Sequence, residues 1–224
     1  MSKISNTNTK FLNQVQTSVY NILKNEDFEK SGRTFNKTID ENIIHVINFQ
    51  IGQKDLAGHF TINLGVYVKE LDENNQVGSK KIFHDYDCSI RVRLSELTTE
   101  LNHWLKIDRN IEDISQSIIG VLMNEGKSWF GLFNSKENLI NNLQIDKIGY
   151  FKNRNRAKLD AAILQLNYNN TNATKLFNEY YDNIDKDNSA HKIYVASLAN
   201  KFGLKINNVP KNTSTNLIDR LLNE

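Results

Sequence analysis

The chain has little of what most often carries chemistry or covalent structure. One cysteine in 224 residues excludes an internal disulfide framework and a cysteine-rich zinc centre. The single proline, Pro210, lies in the loop before the last expected helix, so no strand is interrupted by one. A surplus of one charge is missing too. Lys and Arg total 28 against 26 Asp and Glu, a net +2. That argues against a dedicated nucleic-acid binder, which needs a positive surplus to meet phosphates. No long hydrophobic run occurs. The longest, Ile43 to Ile51, is broken by His45, Asn48 and Gln50. It falls far short of the ~20 residues that span a bilayer. Met1 to Thr9 has no apolar core of a secretory leader. With the lone Cys88, these absences lead us to expect a soluble cytoplasmic protein with no membrane partner. There is no P-loop, dinucleotide fingerprint, H-E-x-x-H or G-x-S-x-G. No cofactor, no metal and no catalytic residue is therefore expected.

What is present is a globular composition, 39% hydrophobic and 24% charged. Asparagine is in excess, at about 33 residues. With the lysine and isoleucine content, this points to an AT-rich bacterial genome. The length suggests one to one and a half domains at ~150 residues each.

Periodicity supplies the order of elements. Phe11, Leu12, Val15, Val19, Ile22 and Leu23 recur at helical spacing and predict a helix from about Thr9 to Asn25. Strands are expected at Gly32–Thr38, Ile43–Ile51, Phe60–Val68 and Cys88–Leu94, with a short last one at Trp104–Ile107. Polar loops join them at Gly52–Gly58 and Asp72–Lys81. Beyond Asp108, Ile111, Ile114, Ile118, Val121 and Leu122 mark a helix ending near Gly126, where glycine reads as a packing or capping residue. A short helix follows near Ser135 to Leu143. From Asn155 everything reads as helix, on Leu159, Ile163 and Leu166, then Leu176, Phe177 and Tyr180, then Ile193, Val195, Leu198 and Phe202. A last helix is expected at Ser214–Leu222. Residues 158–164 and 192–198 align about 34 apart, the period of helix-pair repeats. A tetratricopeptide-like pair and a plain bundle both satisfy that pattern. The expected fold is α+β, an antiparallel four- to five-stranded sheet with helices on one face, over residues 1–145. An all-α module would occupy 150–224.

Several phrases carry a family resemblance: Gly32-Arg33-Thr34-Phe35, Val46 to Gln50, Phe60 to Tyr67 and Asp87 to Leu94, followed by Trp104 and Trp129-Phe130. Over about residues 11–143 the chain resembles the bacterial family known as domain of unknown function 4304. The resemblance implies a small α+β domain. It supplies no activity and no catalytic residues.

Strand alternation assigns faces. Phe60, Ile62, Leu64, Val66 and Val68 share one side, as do Cys88, Ile90, Val92 and Leu94, which places Cys88 in the core as an inert thiol. The opposite side gathers Asn48, Gln50, Asn63, Tyr67, Arg91 and Arg93. Two guanidinium forks two residues apart can grip a carboxylate or phosphate, and amides can orient it. An antiparallel sheet also produces a solvated polar face without any ligand. The six residues are the binding candidates. His84, Asp85, Asp87 and Cys88 lie close in sequence, but alternation separates them and a loop entering a strand explains them. Lys147, Lys152, Arg154, Arg156 and Lys158 surround Tyr150 and Phe151 as a basic junction. It reads as solvated linker, with a nucleic-acid contact as the weaker alternative.

The functional expectation is a non-enzymatic interaction protein whose partner is another protein. Its most concrete form is an immunity-type inhibitor of a toxin domain. The alternative is a small-ligand-binding or enzymatic domain using Arg91, Arg93, Asn48 and Asn63.

Overall fold

A computed structural model describes residues 3–72, 82–107, 110–144, 157–166, 169–185 and 187–206. The Asp72–Lys81 loop beyond its first residue, the helix expected at 214–222 and, except for Lys158, the basic junction lie outside the described residues.

The chain forms two compact units, the first running to Ser135 and the second starting at Lys136. In the first, helix α1 (Lys3–Leu23) precedes β1 (Glu29–Ser31), β2 (Thr34–Thr38), β3 (Ile43–Ile51), β4 (His59–Val68), β5 (Ile90–Arg93) and β6 (Leu105–Lys106). The strands form one antiparallel sheet in the order β1-β2-β3-β4-β5, and the two-residue β6 pairs with the start of β4. The sheet is thus antiparallel as expected, with one strand more. That strand is β1, whose Glu-Lys-Ser is exposed throughout and carries no apolar signal. Ser31 pairs with Thr34 across Gly32-Arg33, and Gly32 takes φ +57°. A left-handed first turn residue matches the twist of a two-residue hairpin, which favours glycine there.

One face of the sheet carries the main core. Phe35, Ile47, Phe49, Phe60, Leu64 and Ile90 are buried on it. Helix α1 buries Leu12, Val15, Val19 and Leu23, and Tyr20 packs its ring 6.0 Å from Phe35. Each fully buried side chain of this kind contributes roughly 1.5–3 kcal/mol of transfer free energy. Helix α2 (Ile111–Val121) starts on Asn110, whose side chain accepts from Glu112 N–H at 2.9 Å. It does not end at Gly126. A π turn over Leu122–Gly126 carries it into α3 (Lys127–Gly131). The added residue re-phases the apolar stripe, so Trp129, Phe130 and Phe133 also face inward.

The second unit holds α4 (Lys136–Gln144), α5 (Ala157–Gln165), α6 (Asn170–Asp182) and α7 (Ser189–Lys201). Leu159 and Ile163 suggest a one-sided helix, yet α5 is buried almost all round, including Ala161, Ala162 and Leu164. Its neighbours α4 and α6 pack on it, and a helix covered on several sides needs no polar stripe. Asn169 and Asn188 cap α6 and α7, accepting from the N–H groups of Asn172 and His191. No helix among the described residues is long and apolar enough to cross a membrane.

Candidate functional site

The side of the sheet opposite the main core is not a flat solvated surface. Residues 82–89 fold back across it and divide it into a covered end and an open cleft.

At the covered end, Val46, Tyr67, Phe83 and Cys88 form a second small core, with Ile44 beside it. Phe83 stacks on Tyr67 with ring centroids 4.1 Å apart. Two candidate placements change here. Cys88 is buried, but on this side and not in the main core. The turn Asp85–Asp87 precedes it and β5 begins only at Ile90, so strand alternation does not extend back to it. The thiol lies against the backbone of β4, where a Cβ on Gly65 would stand 2.5 Å from its Sγ. Tyr67 is 3% exposed and lies outside the cleft. Its hydroxyl donates to Asp72 at 2.9 Å. Burial, reinforced by that carboxylate, raises the hydroxyl far above the ordinary tyrosine range, so it stays protonated.

The loop is pinned by side chains from two strands, β2 and β4. Asn36 bonds both backbone groups of Phe83, donating to its carbonyl at 2.9 Å and accepting from its N–H at 2.8 Å. Thr34 Oγ1 pairs with His84 Nδ1 at 3.0 Å. Asn63 donates to Asp85 at 3.0 Å and to Gln50 at 2.9 Å. Asp87 accepts from the backbone N–H of His84. His84, Asp85 and Asp87 are therefore engaged in holding the loop, as a loop entering a strand should be. Among the described residues no group of three or more His, Cys, Asp or Glu side chains is placed to hold a metal ion.

The open end is a cleft of about 1460 Å³. Its floor is a polar row in register across four strands: Thr34 beside Asn48, Asn48 beside Asn63, Asn63 beside Arg93. Asn48 donates to Thr34 Oγ1 at 2.8 Å, joining β2 to β3 through side chains. Arg91 stands opposite Gly65 and Arg93 opposite Asn63, so both guanidinium groups belong to this side. Five of the six candidates, Asn48, Gln50, Asn63, Arg91 and Arg93, line the one cleft. The guanidinium of Arg93 lies 5.5 Å from the Trp104 ring centroid, a cation–π arrangement that orients it. Arg91 has no ion pair or hydrogen bond from its side chain among the described residues.

Sequence reasoning passed over four contributors. Lys30 and Arg33 bring positive charge from the β1–β2 hairpin, and Tyr86 and Trp104 bring aromatic surface. Tyr86 is 67% exposed and stacks on His84 at 5.0 Å. The cleft is lined by Lys30, Arg33, Arg91 and Arg93 against a single carboxylate, Asp85, already bonded to Asn63. A cavity of this make-up attracts negative charge and can bind it through charge-assisted, bidentate hydrogen bonds.

A model of one protein family, described as Domain of unknown function (DUF4304), matches residues 15–132. That span includes the whole sheet and every residue of the cleft except Asn13. No curated protein and no solved structure matches the chain.

Proposed function

The chain belongs to the DUF4304 family, and from the cleft that its matched region builds we propose that it is a binding protein for a negatively charged segment of another protein. The observation that carries the reading is the charge of the cleft. Four cationic side chains line it with one carboxylate, and Arg91 is left without a counter-ion among the described residues. Arginine and exposed tyrosine lining one cleft are residue types enriched at interface hot spots. A volume of about 1460 Å³ leaves room for a loop or extended peptide. The hydroxyl and imidazole that meet in it, Thr34 and His84, are joined to each other and to Asn48 in holding the loop on the sheet, and we read the protein as non-enzymatic.

In the fullest form of this proposal the protein is a cytoplasmic bacterial inhibitor of the immunity type. The acidic segment would then belong to a toxin domain. A second reading, a small anionic ligand, draws on the concavity of the same cleft and on the pre-oriented Arg93.

The test is quantitative co-purification from native cells with wild-type and R91A/R93A baits. We expect one protein to be retained by the wild type and reduced at least tenfold by the double variant. Equal recovery by both baits would remove the cleft from the account. A metabolite carried by the wild type alone, with no protein, would select the small-ligand reading.

A further inference from the structure

On the opposite face of the sheet from the cleft lies a separate cavity of about 170 Å³. Its floor is His45 and Ile47 of β3. Leu23 and Phe28 line one side, and Leu122 and Phe130, from the π turn and α3, line the other. π turns within helices recur at binding sites.

Of the polar residues that line the cavity His45 is the buried one, 3% exposed, while Asn134 and the charged residues are partly or fully exposed. Its Nε2 lies 3.2 Å from the carbonyl oxygen of Phe133. A carbonyl oxygen only accepts, so Nε2 carries the proton. Burial holds the ring neutral, with its pKa lowered to about 4. A neutral imidazole has one N–H, so Nδ1 presents a lone pair. No described residue donates to it. The ring is fixed by stacking on Phe130, with centroids 4.4 Å apart and planes 17° from parallel. The charged groups around the cavity are Lys37 and the Lys127–Glu26 pair, the latter joined at 2.9 Å.

We propose that this cavity binds a small neutral planar molecule, of about the size of a benzene ring, that carries one hydrogen-bond donor directed at Nδ1 of His45. Three observations support the ligand class. A dry cavity of roughly 150 Å³ accepts benzene, so the volume fits one ring. The walls are mainly aliphatic and aromatic, which disfavours a desolvated charge. The open valence of the one buried polar side chain is an acceptor, so the complementary ligand group is a donor such as a hydroxyl.

The experiment is an amide and histidine NMR titration of the full chain with phenol and with toluene, which share the ring but differ in the donor. Phenol should shift resonances of His45, Phe130 and Leu122 and move the Nδ1 signal as that atom gains a bond. Its affinity should exceed that of toluene about tenfold. In H45F the preference should fall to about one. Equal affinity for phenol and toluene, or shifts confined to other regions, would each overturn the proposal. Loss of Arg91 and Arg93 should leave phenol binding unaltered, which separates this site from the cleft.

Discussion

Buried His45 makes the stability of the first unit depend on pH in a direction that its surroundings fix. Its folded pKa is lowered from 6.5 to about 4, first by burial and then by the nearby charge of Lys37, against the raising effect of the Phe133 carbonyl. Between those values the unfolded chain binds a proton that the folded protein does not. Stability from this residue is therefore present above pH 6.5 and lost as pH falls towards 4. Each pKa unit corresponds to about 1.4 kcal/mol. Linkage then gives a loss of roughly 2 kcal/mol from pH 7 to pH 5 and roughly 3 kcal/mol by pH 4. The assay is urea unfolding followed by tryptophan fluorescence. The chain has two tryptophans, Trp104 and Trp129, and both lie in the first unit, so the signal reports that unit. H45Q keeps a donor for the Phe133 carbonyl but does not titrate in this range. Other titrating groups act alike in both proteins and cancel in the comparison. The wild type should lose its advantage over H45Q by roughly 2 kcal/mol between pH 7 and pH 5. Parallel stability curves would show that His45 is not a buried neutral ring and would refute the reasoning.

Three further outcomes follow from named contacts. G65A should cost about 1–3 kcal/mol, because its Cβ would meet Cys88 Sγ at 2.5 Å and Cβ at 2.9 Å. C88A added to it should recover part of that loss, since it removes the nearer atom; no recovery would mean that Cys88 is not the obstacle. N63A should cost about 1–3 kcal/mol by removing the donor shared by Asp85 and Gln50. Hydrogen exchange in residues 82–89 should rise in N63A, and unchanged exchange there would refute its role in holding the loop. N110A should cost about 1 kcal/mol through loss of the α2 cap, read in the same fluorescence assay.

Much of the fold was legible because its signals are local. Alternation in Phe60 to Val68 identifies β4 almost to the residue, and Ile43–Ile51 is β3 as observed. The faces of β3 and β4 follow from the same period, and that period alone brings Asn48, Gln50, Asn63, Arg91 and Arg93 to one cleft. What escaped depends on distant contacts. Residues 82–87 carry no periodic pattern, and the alternation that starts at Cys88 runs ahead of the strand, which begins only at Ile90, so nothing local says that this segment crosses the polar face, buries Tyr67 and carries Cys88 to the minor core. Gly65 inside a strand was the available signal, since glycine there often marks a close approach of another segment. β1 was silent because all three of its side chains are exposed. The asparagine excess also gains a physical reading. Asn110, Asn169 and Asn188 cap helices, and Asn36, Asn48 and Asn63 bind loop and strands together.

The most direct test of the central claim is a photo-reactive residue at Gln50, which is exposed and lines the cleft. Irradiation in native cells, followed by mass spectrometry of the adduct, identifies both the partner and the peptide that was touching the cleft. The account predicts one dominant protein adduct, mapping to an acidic segment and lost when Arg91 and Arg93 are replaced by glutamate. A dominant adduct on a neutral or basic segment, or one that survives the charge reversal, would contradict it.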